Sequence, residues 1–128
     1  MQRDLLYKDL TYRIRGAIFN VYNNLGFGHK ESVYTNALSI EFEKNKIKHE
    51  REKNLIITYD SKIVGYYKPD FVVDNKIIIE IKSSEFMTIN VEKQLIYYLK
   101  GTNYKLGLLV NFGGSKLIIR RKIWSLDQ

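Results

Sequence analysis

Two carboxylates and an amine lie close together in the sequence, in the order Asp70, Glu80, Lys82. Carboxylate oxygens are the hard ligands that Mg²⁺ prefers, and the backbone carbonyl of Ile81 would supply a third oxygen. A metal ion held by these groups polarises a phosphodiester and lowers the pKa of a bound water. Lys82 would stabilise the charge that develops in the transition state or, with a depressed pKa, help to deprotonate the water.

The sequence around these residues explains how Asp70 and Glu80 would meet. The three residue types alone, with a variable spacer, are expected about once by chance in a chain of this length, so the context carries the prediction. Pro69 precedes Asp70 and suits a sheet edge or the start of a strand. A turn at residues 74–76 then folds the apolar strand 77–82 back beside Asp70.

Side chains of a strand alternate between its two faces, so Glu80 and Lys82 share one face with Ile78. Burying such charges costs several kcal/mol unless they are paired or bound to a metal. An ion pair of Lys82 with Glu80 or with Asp70 is therefore the structural alternative to a metal site.

Together with the other predicted elements, these residues form an α/β fold. We expect residues 1–128 to be a single domain. Apolar residues at helical spacing predict helices over residues 5–25 and 31–45. A third helix is expected over residues 90–100, with Gly101 as its cap. Further strands are expected at residues 49–59, 63–67, 70–73, 106–110 and 117–123. We expect a mixed sheet flanked by helices, in the order α-α-β-β-β-α-β-β, with three or four strands before the third helix.

Composition narrows the class of protein. The 128 residues include no cysteine, which excludes disulfides, thiolate metal sites and cysteine nucleophiles. We find neither a signal peptide nor an unbroken apolar stretch of about 18 residues, so we expect a cytoplasmic protein with no membrane span. The formal net charge of +7 suits nucleic acid as a partner, although basic charge also serves solubility alone.

Two motifs together resemble a known family. Residues 69–83 resemble the core motif of the PD-(D/E)XK nuclease superfamily, which has a restriction-endonuclease-like fold. The signature of the GxxExxY family, a small-protein branch of that superfamily, is similar to residues 28–34, Gly-His-Lys-Glu-Ser-Val-Tyr. The similarity continues through residues 34–38 and 108–113, and it departs from the family at positions 29–30, where relatives have apolar residues.

The resemblance implies roles for residues outside the core motif. Glu31 would complete the metal site, although a carboxylate in the first turn of a helix also favours the helix dipole. Gln94 and Tyr98 share a helix face and resemble a Gln-x-x-x-Tyr element, in which the Gln orients the lysine or the DNA. Gln94 is equally an ordinary polar position. Tyr34 is either a wall of the site or part of the core, and Lys30 is a candidate phosphate contact.

These observations predict a hydrolase, namely a Mg²⁺-dependent nuclease acting on DNA rather than RNA, with Mn²⁺ as the expected substitute. A rival hypothesis is a nuclease fold that grips nucleic acid or a protein partner without cutting. A third is a structural or regulatory protein whose basic charge serves solubility. The sequence leaves open a homodimer, the strandedness of the substrate, and endonucleolytic or exonucleolytic attack.

Overall fold

Three helices and seven strands make up residues 6–125, the part of the chain that the computed structural model describes. The helices are α1 (Lys8–Leu25), α2 (Glu31–Lys44) and α3 (Ile89–Thr102). The strands are β1 (His49–Arg51), β2 (Leu55–Tyr59), β3 (Lys62–Tyr67), β4 (Phe71–Val73), β5 (Ile77–Lys82), β6 (Leu106–Asn111) and β7 (Ile118–Ile123). No helix within residues 6–125 is long and apolar enough to cross a membrane.

Five strands form one mixed sheet in the order β1-β4-β5-β6-β7. β5 and β6 run parallel, whereas the other neighbouring pairs are antiparallel. A parallel pair needs a long crossover connection, and α3 supplies it between β5 and β6. The first three residues of β5 are completely buried, as expected for a central strand covered on both faces. The predicted mixed sheet flanked by helices is thus confirmed.

The sheet is covered by a different layer on each face. Ile79 and Ile81 of β5 pack in the core beneath α1 and α2. Ile78 points the other way, into a second core formed with α3 and the β2–β3 hairpin. Glu80 and Lys82 follow Ile78 at intervals of two residues, so they face the α3 layer, as the strand period predicts.

The strand predicted over residues 49–59 is divided in the structure. Glu52 takes a left-handed backbone conformation with φ 51°, and the chain changes direction there. β1 pairs with β4 in the main sheet, whereas β2 and β3 form a separate two-stranded sheet. Within the described part of the chain, five strands therefore precede α3 instead of three or four.

The first helix is shorter than predicted at its beginning. α1 begins at Lys8, because Tyr7 lies in the left-handed region with φ 54°. The predicted start at Leu5 lies outside the described residues. The end agrees with the prediction, since Gly26 has φ 72° and its N–H donates to the Tyr22 carbonyl oxygen at 2.8 Å.

The third helix is longer than predicted at its end. α3 continues through Gly101 to Thr102, and Asn103, with φ 65°, is its cap. A Cβ atom at Gly101 would lie 3.1 Å from Cγ2 of Ile57 on β2. The glycine therefore allows the hairpin to approach α3 closely, and it does not end the helix.

Side chains of β7 tie the end of the described chain to α3 and to its beginning. Lys122 Nζ lies 2.7 Å from Oε1 of Glu92 on α3, and Arg120 Nε lies 3.7 Å from Oε2. The hydrogen bond from Lys122 is the main cause that lowers the pKa of Glu92. Arg121 Nη2 donates to the Leu6 carbonyl oxygen at 2.8 Å, so the two ends of the described chain lie side by side.

Candidate active site

β4 and β5 bring Asp70 and Glu80 together at one end of the sheet. Phe71 pairs with Ile79, and the residues that follow this pair outward are Asp70 and Glu80. The Ile81 N–H donates to Asp70 Oδ2 at 2.6 Å, and the Asp70 N–H donates to Glu80 Oε1 at 3.4 Å. The two carboxyl groups are therefore fixed next to each other by the backbone of both strands.

The backbone of Ile81 faces the same place. The N–H and C=O of one residue in a strand point toward the same neighbouring strand. Because the Ile81 N–H points at Asp70, the Ile81 carbonyl also lies on that side of β5. This orientation is compatible with the predicted ligand role of the carbonyl oxygen, which stays a prediction.

Tyr67, which the sequence analysis did not single out, contacts the site from the hairpin. Its hydroxyl donates to Glu80 Oε2, and its ring stacks on that of Tyr98, with centroids 3.7 Å apart and planes 5° apart. The side chain is 6% exposed. Burial, and next the Glu80 carboxylate, raise the pKa of Tyr67 far above its ordinary value, so the hydroxyl stays a donor.

The electrostatics around Glu80 fit a divalent cation. Burial is the main cause that raises the pKa of Glu80 from 4.5 to about 7; the Tyr67 hydrogen bond lowers it and the Asp70 charge raises it. Among residues 6–125, neither Asp70 nor Glu80 has an ion-pair partner within 4.0 Å. Two adjacent, partly buried carboxylates with no cation are the environment that a bound metal ion would neutralise.

The donor set also fits what Mg²⁺ requires. In the described part of the chain, no group of three or more His, Cys, Asp or Glu side chains is placed to hold a metal. Mg²⁺ commonly binds to proteins through one or two carboxylates and takes its remaining ligands from water and substrate phosphates. Asp70 and Glu80 supply that minimum set of carboxylates.

Lys82, Gln94 and Tyr98 line a narrow cleft together with Glu80, and we call this space the active-site cleft. Its volume of about 10 Å³ has room for about one water-sized group. Within residues 6–125, the Lys82 amine has no ion-pair partner within 4.0 Å, so the alternative of a Lys82 ion pair is not formed. The structure thus brings together the amine of Lys82, the amide of Gln94 and the partly buried carboxylate of Glu80.

Glu31 and Lys30 lie near this end of the sheet but in the opposite layer. The Ser83 hydroxyl donates to the His29 carbonyl oxygen, which places the start of α2 beside the chain that follows β5. α2, however, packs on the face opposite to that of Glu80. Glu31 and Lys30 are both exposed, and the structure does not bring Glu31 into the carboxylate pair.

Tyr34 belongs to the core. Its ring is fully buried and stacks on Phe112, with centroids 4.2 Å apart. Its hydroxyl donates to the Gly26 carbonyl oxygen at 2.7 Å and accepts from the His29 N–H at 3.1 Å. Of the two roles expected for Tyr34, this burial contradicts a substrate-contacting wall of the site and agrees with the core, because a side chain enclosed by the core presents no surface to a ligand.

Asn111 fixes the chain segment that follows Lys82 and was also missed by sequence analysis. Its fully buried amide donates to the Ser84 carbonyl oxygen at 2.9 Å. Its Oδ1 accepts from the N–H groups of Ser84 and Gly113, both at 3.0 Å. A Cβ atom at Gly113 would overlap the backbone of Ser83 and Ser84, so glycine allows these two segments to touch.

Comparison with known proteins identifies the fold and the superfamily of this chain. The crystal structure of SSO0001 is similar, with a TM-score of 0.57 and 21% identity over 75% of this chain, which shows a shared fold. The chain spans 50% of the length of SSO0001. No curated protein shows significant sequence similarity. A sequence model of the PD-(D/E)XK nuclease superfamily matches residues 8–122. The chain therefore belongs to the PD-(D/E)XK nuclease superfamily.

Proposed function

We propose that this protein is a metal-dependent nuclease that hydrolyses phosphodiester bonds of DNA, with Mg²⁺ as its metal and Mn²⁺ as a substitute. The observation that carries the proposal is the pair of Asp70 and Glu80, which has no cation within salt-bridge distance among residues 6–125. Glu80 of this pair lines the active-site cleft together with Lys82. Membership of a nuclease superfamily supports a nuclease-type function. The basic charge of +7 supports a polyanionic substrate.

The metal would be held by Asp70, Glu80 and the Ile81 carbonyl. When bound, it polarises the phosphate and lowers the pKa of a water molecule. Tyr67 keeps the Glu80 carboxylate in one orientation by donating a hydrogen bond to it. Glu31 remains a proposed further ligand on the family resemblance alone, because α2 packs on the face opposite to that of Glu80.

The reacting phosphate would be positioned by the residues of the active-site cleft. Lys82 would donate a hydrogen bond to a non-bridging phosphate oxygen or, as a neutral amine, accept a proton from the attacking water. Gln94 would orient Lys82 or the nucleic acid across the cleft, and Tyr98 would support Tyr67 through their stacked rings. Lys30 would contact a phosphate beyond the cleft.

We also propose the GxxExxY branch, a cytoplasmic location and DNA in preference to RNA. Residues 28–34 support the branch, and the absence of cysteine suits a reducing compartment. Analytical sedimentation would measure the molecular mass in solution and so distinguish a homodimer from a monomer.

A cleavage assay tests the proposal. Wild type is incubated with Mg²⁺, Mn²⁺ or EDTA on linear duplex, circular duplex and single-stranded DNA, and on RNA. We expect Asp70→Asn and Lys82→Ala to cut at least about 100-fold more slowly. Asparagine keeps an acceptor for the Ile81 N–H, so the fold should persist. The matched controls Glu43→Gln and Lys62→Ala change exposed charges elsewhere and should cut normally.

Equal cleavage by wild type and by Asp70→Asn would attribute the activity to a contaminant and refute the proposal. A second candidate function is a nucleic-acid- or protein-binding module that does not cut, which the separation of Glu31 from the carboxylate pair favours. Nucleic-acid binding by a wild type that binds neither Mg²⁺ nor Mn²⁺ would establish that alternative.

A further inference from the structure

The outward face of α3 carries exposed lysines and a tyrosine beside the active-site cleft. We propose that Asn90, Lys93, Tyr97 and Lys100 form a track that binds single-stranded nucleic acid and leads it to the mouth of the cleft. The inference rests on the proposed nuclease function and names the class of substrate.

The four residues share one side of the helix. They follow one another at intervals of three or four positions, which places them along a single stripe. Leu95 and Leu99 lie on the opposite side and are buried against the sheet. Tyr97 is 61% exposed, so the stripe presents an aromatic ring to solvent.

The track is continuous with the active-site cleft. A shallow hollow of about 520 Å³ lies on the outside of α3, and its lining residues are Asn90, Val91, Lys93, Gln94 and Tyr97. Val91 and Gln94 also line the active-site cleft, so the two spaces share a wall. The volume of this hollow is within the range of sites that hold small ligands. A strand with one phosphate at the cleft would therefore place a neighbouring nucleotide in the hollow.

The charges along the track suit a polyanion. Lys93 and Lys100 flank Tyr97, and the one acidic residue of α3, Glu92, points toward β7 and is paired there. Lys100 Nζ lies 5.5 Å from the Tyr97 ring centroid and 4.7 Å from that of Trp124. The lysines are separated by about 10 Å along the helix axis, which corresponds to about three nucleotides of a stacked strand.

The order of cation, ring and cation matches two phosphates about three nucleotides apart, with an unpaired base between them on Tyr97. Aromatic side chains bind single strands by stacking on bases, which works for any sequence because every base has a flat face. In a duplex both faces of each base are covered by its neighbours, so Tyr97 would have no ring to stack on. We therefore assign the track to single-stranded substrate or to an unpaired end.

The test measures binding by fluorescence anisotropy, with a labelled oligothymidylate of about 16 nucleotides in EDTA, where cleavage cannot occur. We expect Tyr97→Ala to weaken binding by about 5- to 100-fold, the effect of losing one stacked base. Tyr97→Phe keeps the ring and should bind like wild type. Tyr12→Ala is the matched control, because Tyr12 is 78% exposed and lies on α1, on the other side of the sheet.

The contribution of the lysines is read from the salt dependence. The double variant Lys93→Gln/Lys100→Gln should reduce the slope of log K against log salt by about 1.4, because each single-strand phosphate contact contributes about 0.7. Normal binding by Tyr97→Ala overturns the track even if wild type cleaves DNA. An equal loss on duplex and single strand also overturns it. Binding that needs Tyr97, in a protein that cleaves nothing, supports the track and refutes only the nuclease function.

Discussion

Replacing Glu80 with glutamine tests whether the carboxylate destabilises the protein when no metal is bound. Glu80 loses its proton near its ordinary pKa of 4.5 in the unfolded chain and near 7 in the folded protein. The folded state therefore binds this proton more tightly, and the stability contributed by Glu80 falls as pH rises from 4.5 to about 7. A pKa difference of about 2.5 corresponds to about 3 kcal/mol of lost stability above that range.

Glutamine removes the titration but not all of the hydrogen bonding. The Tyr67 hydroxyl and the Asp70 N–H both donate to Glu80, and one of them would face the amide NH₂ instead of an oxygen. Losing that bond costs about 1 kcal/mol. We expect Glu80→Gln to be about 2 kcal/mol more stable than wild type at about pH 8 and no more stable at about pH 5. For a chain of this size, the melting temperature should rise by about 5–10 °C at the higher pH.

The assay is urea unfolding followed by circular dichroism at several pH values between about 5 and 8. EDTA keeps the protein free of metal, and a second series contains saturating Mg²⁺. Mg²⁺ should stabilise wild type, because it binds the folded state, and should leave Glu80→Gln unchanged. The exposed control Glu43→Gln should stay within about 0.5 kcal/mol of wild type at every pH. A stability difference between wild type and Glu80→Gln that does not change with pH would refute the reasoning.

Three further variants test the structure, and the first two change residues that support the site. Tyr67→Phe keeps the ring stacked on Tyr98 but removes the hydrogen-bond donor to Glu80. We expect this variant to bind Mn²⁺ about 10-fold more weakly in calorimetric titration. An unchanged Kd for Mn²⁺ would contradict the proposal that Tyr67 orients the Glu80 carboxylate. Gly113→Ala should lower the free energy of unfolding by at least about 2 kcal/mol, because the added Cβ displaces the segment that follows Lys82. Gly16→Ala, where an added Cβ meets nothing within 4 Å, should instead stabilise α1 by about 1 kcal/mol. Similar unfolding curves for the two glycine variants would show that the segment adjusts freely.

The carboxylate pair could be predicted from sequence because its geometry is local. The turn at residues 74–76 and the strand period together decide that Asp70 meets Glu80 and that Lys82 shares the Glu80 face. The position of Gln94 at the active-site cleft follows from the crossover helix, which must pack over the strand that precedes it. Both inferences involve only elements that are consecutive in the chain, namely β4, β5 and α3.

Contacts between separate layers could not be predicted in this way. Tyr67 reaches Glu80 because the chain leaves the main sheet at Glu52 and the hairpin docks on α3, and no periodic pattern encodes that docking. The sequence pointed to Tyr67 only through its position at the end of a strand, shortly before Pro69 and Asp70. Glu31 illustrates the converse, since helical periodicity identifies the apolar side of α2 but not the face of the sheet that it covers. Asn111 was signalled only by an amide at the end of an otherwise apolar strand.

The hydrogen bond between Arg121 and the Leu6 carbonyl shows that the beginning of the described chain lies beside β7, its last strand. A fold with adjacent ends can be inserted into a surface loop of another protein without separating the two sides of that loop. The exposed turn at Asp60 and Ser61, far along the chain, is the kind of place where a circularly permuted version would begin and end. An insertion or a circular permutation of this kind would leave the pairing of β4 with β5 intact. The carboxylate pair of Asp70 and Glu80 would therefore keep its position.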